Sequence, residues 1–177
     1  MTYSSPVVWV VNTITQGVSF SIVGVLVVVS RRAYMLAETR SRTDTLTGLL
    51  SSRAFSEEAT RVIALCERHH RPVTVAYVDL DQFKQVNDGF GHARGDQVLA
   101  MVALALREAA RDTDLVARLG GDEFALFLPE TDESGAAIVL ERARANVVRA
   151  VLGEPVRVTA SIGAVTSRSA HPSIDTL

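Results

Sequence analysis

The sequence has one cysteine, one lysine and almost balanced charges. Cys66 alone cannot form an internal disulfide or a cysteine-rich zinc site. With 18 basic and 20 acidic residues, the formal net charge of −2 argues against a basic nucleic-acid binder and against an acidic disordered tail. Five prolines and 11 glycines are too few for a low-complexity or collagen-like chain. The length of 177 residues therefore predicts one ordinary domain with a short appendage.

Residues 1–30 contain no Asp, Glu, Lys or Arg, and apolar residues dominate positions 7–29. As a helix, this run would be about 34 Å long, enough to cross a hydrocarbon core of about 30 Å. Arg31 and Arg32 follow directly, and basic residues at the end of a span are retained in the cytoplasm. We therefore predict one N-terminal transmembrane helix with the rest of the chain cytoplasmic. A buried helix of a soluble protein is the alternative interpretation.

Residues 31–43 are rich in Arg, Ala, Leu and Glu and predict a helical linker. Beyond it, hydrophobic periodicity and turn residues predict the order helix, strand, helix, hairpin, helix, strand. The expected helices cover residues 51–69, 95–111 and 132–150, and the expected strands cover 73–80, 115–119, 123–128 and 156–165. Residues 81–94 are predicted to be a polar loop. This order is typical of an α+β, ferredoxin-like sheet with helices on one face.

Acidic residues occur where two of these strands end or begin. Asp79 ends an apolar strand, and Asp122 and Glu123 follow the glycine pair of the hairpin. If the strands are neighbours, their carboxylates converge, and two or three carboxylates suit Mg²⁺ shared with phosphates. Gly120 and Gly121 would let a nucleotide approach the backbone closely. On these residues alone, a turn-forming role for Asp79 and Asp122 is an equally open interpretation.

Four segments, in order, resemble the GGDEF family of diguanylate cyclases. Along the chain they are DTLTGL at 44–49, DLDQFK at 79–84, GGDEF at 120–124 and SIG at 161–163. The second segment is followed by NDGFGH at 87–92 and GD at 95–96. The resemblance extends from Asp44 to about Val165. It implies a palm-type GGDEF domain over residues 44–177, with a central, mainly antiparallel sheet flanked by helices. It also implies synthesis of cyclic di-GMP from two GTP molecules, with release of two pyrophosphates.

The resemblance assigns metal ligation to Asp79, Glu123 and the carbonyl of Leu80. The implied cofactor is Mg²⁺, with Mn²⁺ as a substitute. Asp122 would activate the 3′-hydroxyl of the attacking GTP, either as a base or as a ligand of a second metal. Since each protomer would hold one GTP, a homodimer is also implied.

Substrate contacts follow from the same resemblance. Asn87 and Asp96 would read guanine, because a carboxylate accepts hydrogen bonds from guanine that adenine does not offer. Lys84 and the backbone near Phe83 would lie against the phosphates, as would the turn formed by Gly120 and Gly121.

Arg111 and Asp114, just before the signature, resemble the family's R-x-x-D inhibitory site for cyclic di-GMP, and Arg142 matches a further arginine of that site. A surface ion pair is the alternative interpretation. If the domain is catalytically weak or inactive, this site would make the chain a membrane-tethered cyclic di-GMP receptor. A third alternative is a tethered dimerisation domain that binds GTP.

Family domains continue past the SIG strand with a helix and a last strand, whereas this sequence stops at Leu177. We therefore expect the C-terminal helix and strand to be missing, with weakened or absent activity unless the native protein is longer. The expected location is the inner membrane of a bacterium, single-pass, and no nucleic-acid partner is expected.

Overall fold

A computed structural model of the chain describes residues 41–155 and 157–167. These residues form five strands and four helices. The strands are β1 (Leu50–Ser51), β2 (Val73–Asp81), β3 (Leu115–Gly120), β4 (Glu123–Pro129) and β5 (Thr159–Ser167). The helices are α1 (Ser52–Arg68), α2 (Phe83–Phe90), α3 (His92–Ala109) and α4 (Glu133–Ala150). No helix in this part of the chain is long and apolar enough to span a bilayer. The predicted membrane span and linker lie outside the described residues, apart from the linker's last three positions.

The strands form one mixed sheet in the order β1-β3-β4-β2-β5. The short β1 runs parallel to β3, while β3–β4, β4–β2 and β2–β5 are antiparallel pairs. Central β2 and β4 are nearly continuous apolar runs, as expected for strands that are covered on both faces. The expectation of a mainly antiparallel sheet is met.

Helices pack on both faces of the sheet, so the prediction of helices on one face is wrong. Apolar residues of α2, α3 and α4 pack against one face, which includes Val78, Leu80, Phe124 and Leu126. Helix α1 packs on the opposite face, against Ala117, Ala125 and Phe127, among others. Both faces of β4 are apolar, and alternate residues therefore bury into two separate layers.

Helix α1 begins where its sequence predicts. The Ser51 side chain caps it by accepting a hydrogen bond from the Ala54 amide at 3.4 Å. Its buried face consists of Ala54, Phe55, Ala59, Ile63 and Cys66. Leu65 is 61% exposed, because the helical repeat from Phe55 through Ala59 and Ile63 leaves it on the solvent side.

The predicted loop over residues 81–94 is wrong, since α2 occupies most of it and α3 begins at His92. Phe83 and Val86, three residues apart, form the buried side of α2. Gln82, with φ of 65°, precedes the helix, and Gly91, with φ of 80°, separates α2 from α3. An eight-residue helix with two buried residues is too short to give a clear periodic signal. Strand β5 begins at Thr159, three residues later than predicted.

Candidate functional site

The register of the sheet places Asp79 directly opposite Glu123. The two residues are paired across β2 and β4, so their side chains lie on the same face. Directly opposite residues of an antiparallel pair have Cβ atoms about 5 Å apart. Asp79 lies two residues before the end of β2. Glu123 is the first residue of β4 and is separated from the glycine turn by Asp122. The pairing of β2 with β4 therefore brings together two carboxylates that are 44 positions apart in sequence.

These carboxylates repel one another. Desolvation raises the pKa of Asp79, and the negative charges of Asp122, Glu123 and Asp81 raise it further. A bound divalent cation would relieve this repulsion, so the donor set fits a hard cation such as Mg²⁺. Among the described residues, no three His, Cys, Asp or Glu side chains are grouped so that they alone would hold a metal. The site is therefore an open pair of carboxylates, which leaves coordination positions for phosphate and water.

Asp81 is on the same face of β2 but is held by β5. Its two carboxylate oxygens accept hydrogen bonds from the hydroxyls of Thr159 and, at 2.7 Å, Ser161. These hydrogen bonds hold the pKa of Asp81 below its ordinary value. Asp81 thus fastens β5 to β2 at the edge of the site, and its bonded oxygens turn toward β5.

Tyr77 is a member of this face that the sequence analysis missed. It lies two residues before Asp79, opposite Ala125 and Gly163, and is 43% exposed. Its hydroxyl is hydrogen-bonded to Glu123, and this bond, with burial and the surrounding carboxylates, raises the pKa of Tyr77 to about 12. A tyrosine in an apolar run looks like a core residue. The one available signal was its position two residues before Asp79, because residues i and i+2 of a strand lie on the same face.

Arg118 of β3 is a second residue that the sequence analysis missed. Its Nε and Nη2 donate to the Gly121 carbonyl at 3.0 and 2.8 Å, and its Nη1 lies 3.3 Å from both carboxylate oxygens of Asp44. Asp44 also accepts from the amide and hydroxyl of Thr47 at 2.8 and 2.6 Å. Arg118 therefore links the turn at the start of the domain to the glycine turn that precedes Glu123.

The glycine turn itself requires glycine. Gly120 and Gly121 have φ of 154° and 54°, values that residues with a Cβ atom rarely adopt. Asp122 follows them, half-buried, and is close enough for its charge to act on Asp79. The turn exposes backbone beside the carboxylates, as an approaching phosphate would need.

Asn87 and Asp96, predicted to read guanine, lie on α2 and α3 on either side of the Gly91 break. The contact between the helices is close: a Cβ placed on Gly95 would meet Oδ1 of Asn87 at 2.0 Å. Gly95 precedes Asp96 directly, so the Asn87 amide lies beside the backbone that carries the Asp96 carboxylate. Asp96 is exposed and available to a ligand.

The remaining predicted substrate residues differ in exposure. Lys84 is exposed on the first turn of α2. Phe83 is 7% exposed and Leu80 is 2% exposed, and both side chains belong to the core. Only the main chain of these two residues is therefore available to a metal or a nucleotide.

The predicted inhibitory-site residues lie between α3 and β3 and on α4. Arg111 is exposed, and its backbone amide donates to Oδ2 of Asp114 at 2.7 Å. Asp114 is therefore bonded to the Arg111 main chain, whereas the alternative interpretation was an ion pair between the two side chains. Asp114 is buried, and its Oδ1 has no hydrogen-bond partner within the described part of the chain. The Arg142 guanidinium donates to the Ala109 carbonyl at the end of α3.

The profile described as "Diguanylate cyclase, GGDEF domain" matches residues 41–177. The chain belongs to the GGDEF family. It is 39% identical over 127 residues to the diguanylate cyclase DgcP of Pseudomonas aeruginosa, covering 70% of this chain and 19% of DgcP. The GGDEF chain thus spans about a fifth of that relative's length.

Solved structures share the GGDEF fold. Diguanylate cyclase SiaD of Pseudomonas aeruginosa, solved with its activator SiaC, has a TM-score of 0.71 and 32% identity, over 95% of this chain and 68% of SiaD. DgcB of Caulobacter crescentus, a coiled coil and GGDEF domain solved with c-di-GMP, has a TM-score of 0.67 and 30% identity, over 85% of this chain and 83% of DgcB.

Proposed function

We propose that this GGDEF chain is a diguanylate cyclase that condenses two GTP molecules into cyclic di-GMP with release of two pyrophosphates. The observation that carries the proposal is the direct pairing of Asp79 with Glu123 across β2 and β4. Family membership and the name of DgcP support the same reaction.

The carboxylates of Asp79 and Glu123, with the Leu80 carbonyl, would hold Mg²⁺ or Mn²⁺. The metal, when bound, supplies charge neutralisation and polarises the α-phosphate. Asp122 accepts the proton of the attacking 3′-hydroxyl or holds a second cation. Arg118 fixes the Gly121 carbonyl and so fixes the turn from which Asp122 and Glu123 project.

The nucleotide is held at two ends. Asn87 and Asp96 bind the guanine edge, and ATP would leave the Asp96 carboxylate without its donors. Lys84, the Phe83 main chain and the glycine turn lie along the phosphates. Each domain holds one GTP, so two copies must face each other for both 3′-hydroxyls to attack, and the active species is a homodimer.

The proposal includes a membrane anchor at the N-terminus. Residues 1–30 anchor the chain as a single-pass protein in the bacterial inner membrane, with the GGDEF domain in the cytoplasm. The anchor and the linker raise the local concentration of domains and thereby favour the dimer.

Turnover of the full chain tests the proposal. With GTP and Mg²⁺, the wild-type chain in detergent or vesicles should form cyclic di-GMP, detected by chromatography. Asp122→Ala and Glu123→Ala should abolish product while circular dichroism stays unchanged. Glu133→Gln, at an exposed carboxylate at the start of α4 and outside both sites, should keep wild-type turnover. A folded wild-type dimer that forms no product would contradict the cyclase.

A second candidate function is a cyclic di-GMP receptor. The observation that favours it is the buried Asp114 Oδ1 atom without a partner in the described residues, beside the exposed Arg111. An unpaired buried acceptor is costly, and a ligand N–H would satisfy it. Calorimetry with cyclic di-GMP on the wild type and Arg111→Ala separates the functions, because binding without turnover favours the receptor.

A further inference from the structure

An ion pair with a buried carboxylate lies outside the residues assigned so far. Arg94 donates from Nε and Nη2 to the two carboxylate oxygens of Glu154, at 2.8 and 2.9 Å. The Glu154 side chain is only 5% exposed, and Arg94 is 40% exposed. This bidentate geometry is the strongest form of an arginine–carboxylate contact. The five other arginine–glutamate contacts of the described residues join more exposed side chains.

The pair joins two parts of the chain that are 60 residues apart. Arg94 lies in the first turn of α3, two residues before Asp96. Glu154 lies between α4 and β5, in the turn that leads to Thr159 and Ser161, whose hydroxyls hold Asp81. One end of the pair is therefore next to the proposed guanine-reading residues, and the other end leads into the strand beside the carboxylate pair.

The first turn of α3 has no side-chain cap within the described residues. The capping residue Gly91 has no side chain to hold the helix start. The same turn must nevertheless stay close to α2, because Gly95 packs against the Asn87 amide with no room for a Cβ. Arg94 is the residue of this turn that reaches a buried partner on another element, and its Nη1 also donates to Gln97 at 2.6 Å.

We propose that Arg94 and Glu154 are positioning residues for guanine recognition, and that their ion pair sets the place of Asn87 and Asp96 relative to the metal-binding carboxylates. The inference rests on the proposed function, because it assumes that GTP is bound by Asn87 and Asp96. Neither residue of the pair touches the nucleotide. Their effect is on base selection, since guanine and adenine differ at the edge that Asn87 and Asp96 face.

Equilibrium binding to the full chain tests this inference. The probes are non-hydrolysable α,β-methylene analogues of GTP and ATP with Mg²⁺. Glu154→Gln should weaken binding of the GTP analogue about tenfold. Binding of the ATP analogue should stay unchanged, since adenine gains nothing from Asp96, so the preference for guanine should fall by the same factor. Arg94→Lys keeps the charge but loses the bidentate contact, and it should also lower the preference for the GTP analogue.

Glu141→Gln is the matched control, because Glu141 pairs with Arg144 on the exposed side of α4 and should leave both affinities unchanged. Urea unfolding of each variant shows whether it is folded, and Arg94→Lys decides the matter if Glu154→Gln unfolds. If both folded variants keep the wild-type preference for guanine, the inference is overturned and the proposed function stands. The same holds if the affinities for the two analogues fall by equal factors. A wild-type chain that binds neither analogue overturns the proposed function as well.

Discussion

Tyr77 shows how one hydroxyl is placed beside Glu123, a proposed metal ligand. Its ring is 43% exposed, so its removal should leave the core intact, while its hydroxyl is hydrogen-bonded to Glu123. Partners that orient a ligating carboxylate typically contribute about tenfold or more to metal affinity. Tyr77→Phe should therefore weaken Mn²⁺ binding about tenfold without a change in circular dichroism. Electron paramagnetic resonance of free Mn²⁺ measures the affinity.

Val165→Ala is the control for Tyr77→Phe. Val165 is an exposed residue of the neighbouring strand β5 and has no polar group. It should keep the wild-type affinity for Mn²⁺. Equal affinities of Tyr77→Phe and the wild type would show that the hydroxyl does not orient Glu123.

Asp44 gives the domain a defined acid sensitivity. Partial burial tends to raise its pKa, but hydrogen bonds from Thr47 and the charge of Arg118 together hold it below the ordinary value of 3.8. Because the folded-state pKa is the lower one, ionised Asp44 stabilises the fold fully above about pH 4, and this stabilisation is lost as the pH falls through the folded-state value. Asp44→Asn should lower the free energy of unfolding at pH 7 by about 2 kcal/mol.

Urea denaturation at pH 7 and below pH 4 measures this effect. Asp44→Asn should lose less stability on acidification than the wild type, so the two stability curves converge at low pH. Parallel curves would contradict the role of the Asp44 carboxylate in holding Arg118.

At the scale of residues, the sequence indicated the groups that are proposed to contact the substrates, but not the residues that hold those groups in place. Asp79, Asp122 and Glu123 stand out because carboxylates are rare at the ends of apolar strands. Tyr77, Arg118 and Arg94 gave no such signal. Their partners are distant in sequence, at Glu123, Asp44 and Glu154, and only the fold brings these pairs together.

At the scale of elements, the contact between α2 and α3 depends on Gly95. Gly95→Ala would place a Cβ about where the Asn87 amide now lies, so Asn87 must move. We expect weaker binding of the GTP analogue, by about tenfold, even though alanine favours a helix more than glycine does. Equilibrium binding to the full chain measures the change.

Gly89→Ala is the matched control for Gly95→Ala. Gly89 also lies in a helix, α2, and no atom lies within 4 Å of an added Cβ. This variant should bind normally and be more stable by about 0.5–1 kcal/mol. Unchanged nucleotide binding by Gly95→Ala would contradict the placement of Asn87 in the guanine site.

Element boundaries were predictable where a cap or a turn marked them. Ser51 and Asp132 cap α1 and α4, and the glycine pair separates β3 from β4. Helix α2 was missed because only Phe83 and Val86 are buried on it. The two-residue strand β1 was missed because its pairing with β3 is a tertiary contact that no local pattern encodes.

At the scale of the whole molecule, the proposed reaction requires two chains. If each domain contributes one GTP, product formation at low protein concentration should rise with the square of that concentration. Specific activity should therefore increase on concentration and reach a plateau when all chains are paired. Initial rates over about a hundredfold dilution series, which begins at a protein concentration on the order of 1 nM, measure this increase. A constant specific activity across the series would contradict assembly during the assay.

The central claim is that Asp79 and Glu123 jointly hold a divalent cation on the bound nucleotide. The most direct test is Mn²⁺ binding, in the presence of the non-hydrolysable GTP analogue, to Asp79→Asn, Glu123→Gln and the double variant. Each single variant should weaken Mn²⁺ binding by more than about tenfold, and the double variant should lose less than the sum, because both residues serve one ion. Wild-type Mn²⁺ affinity in either single variant would contradict the claim.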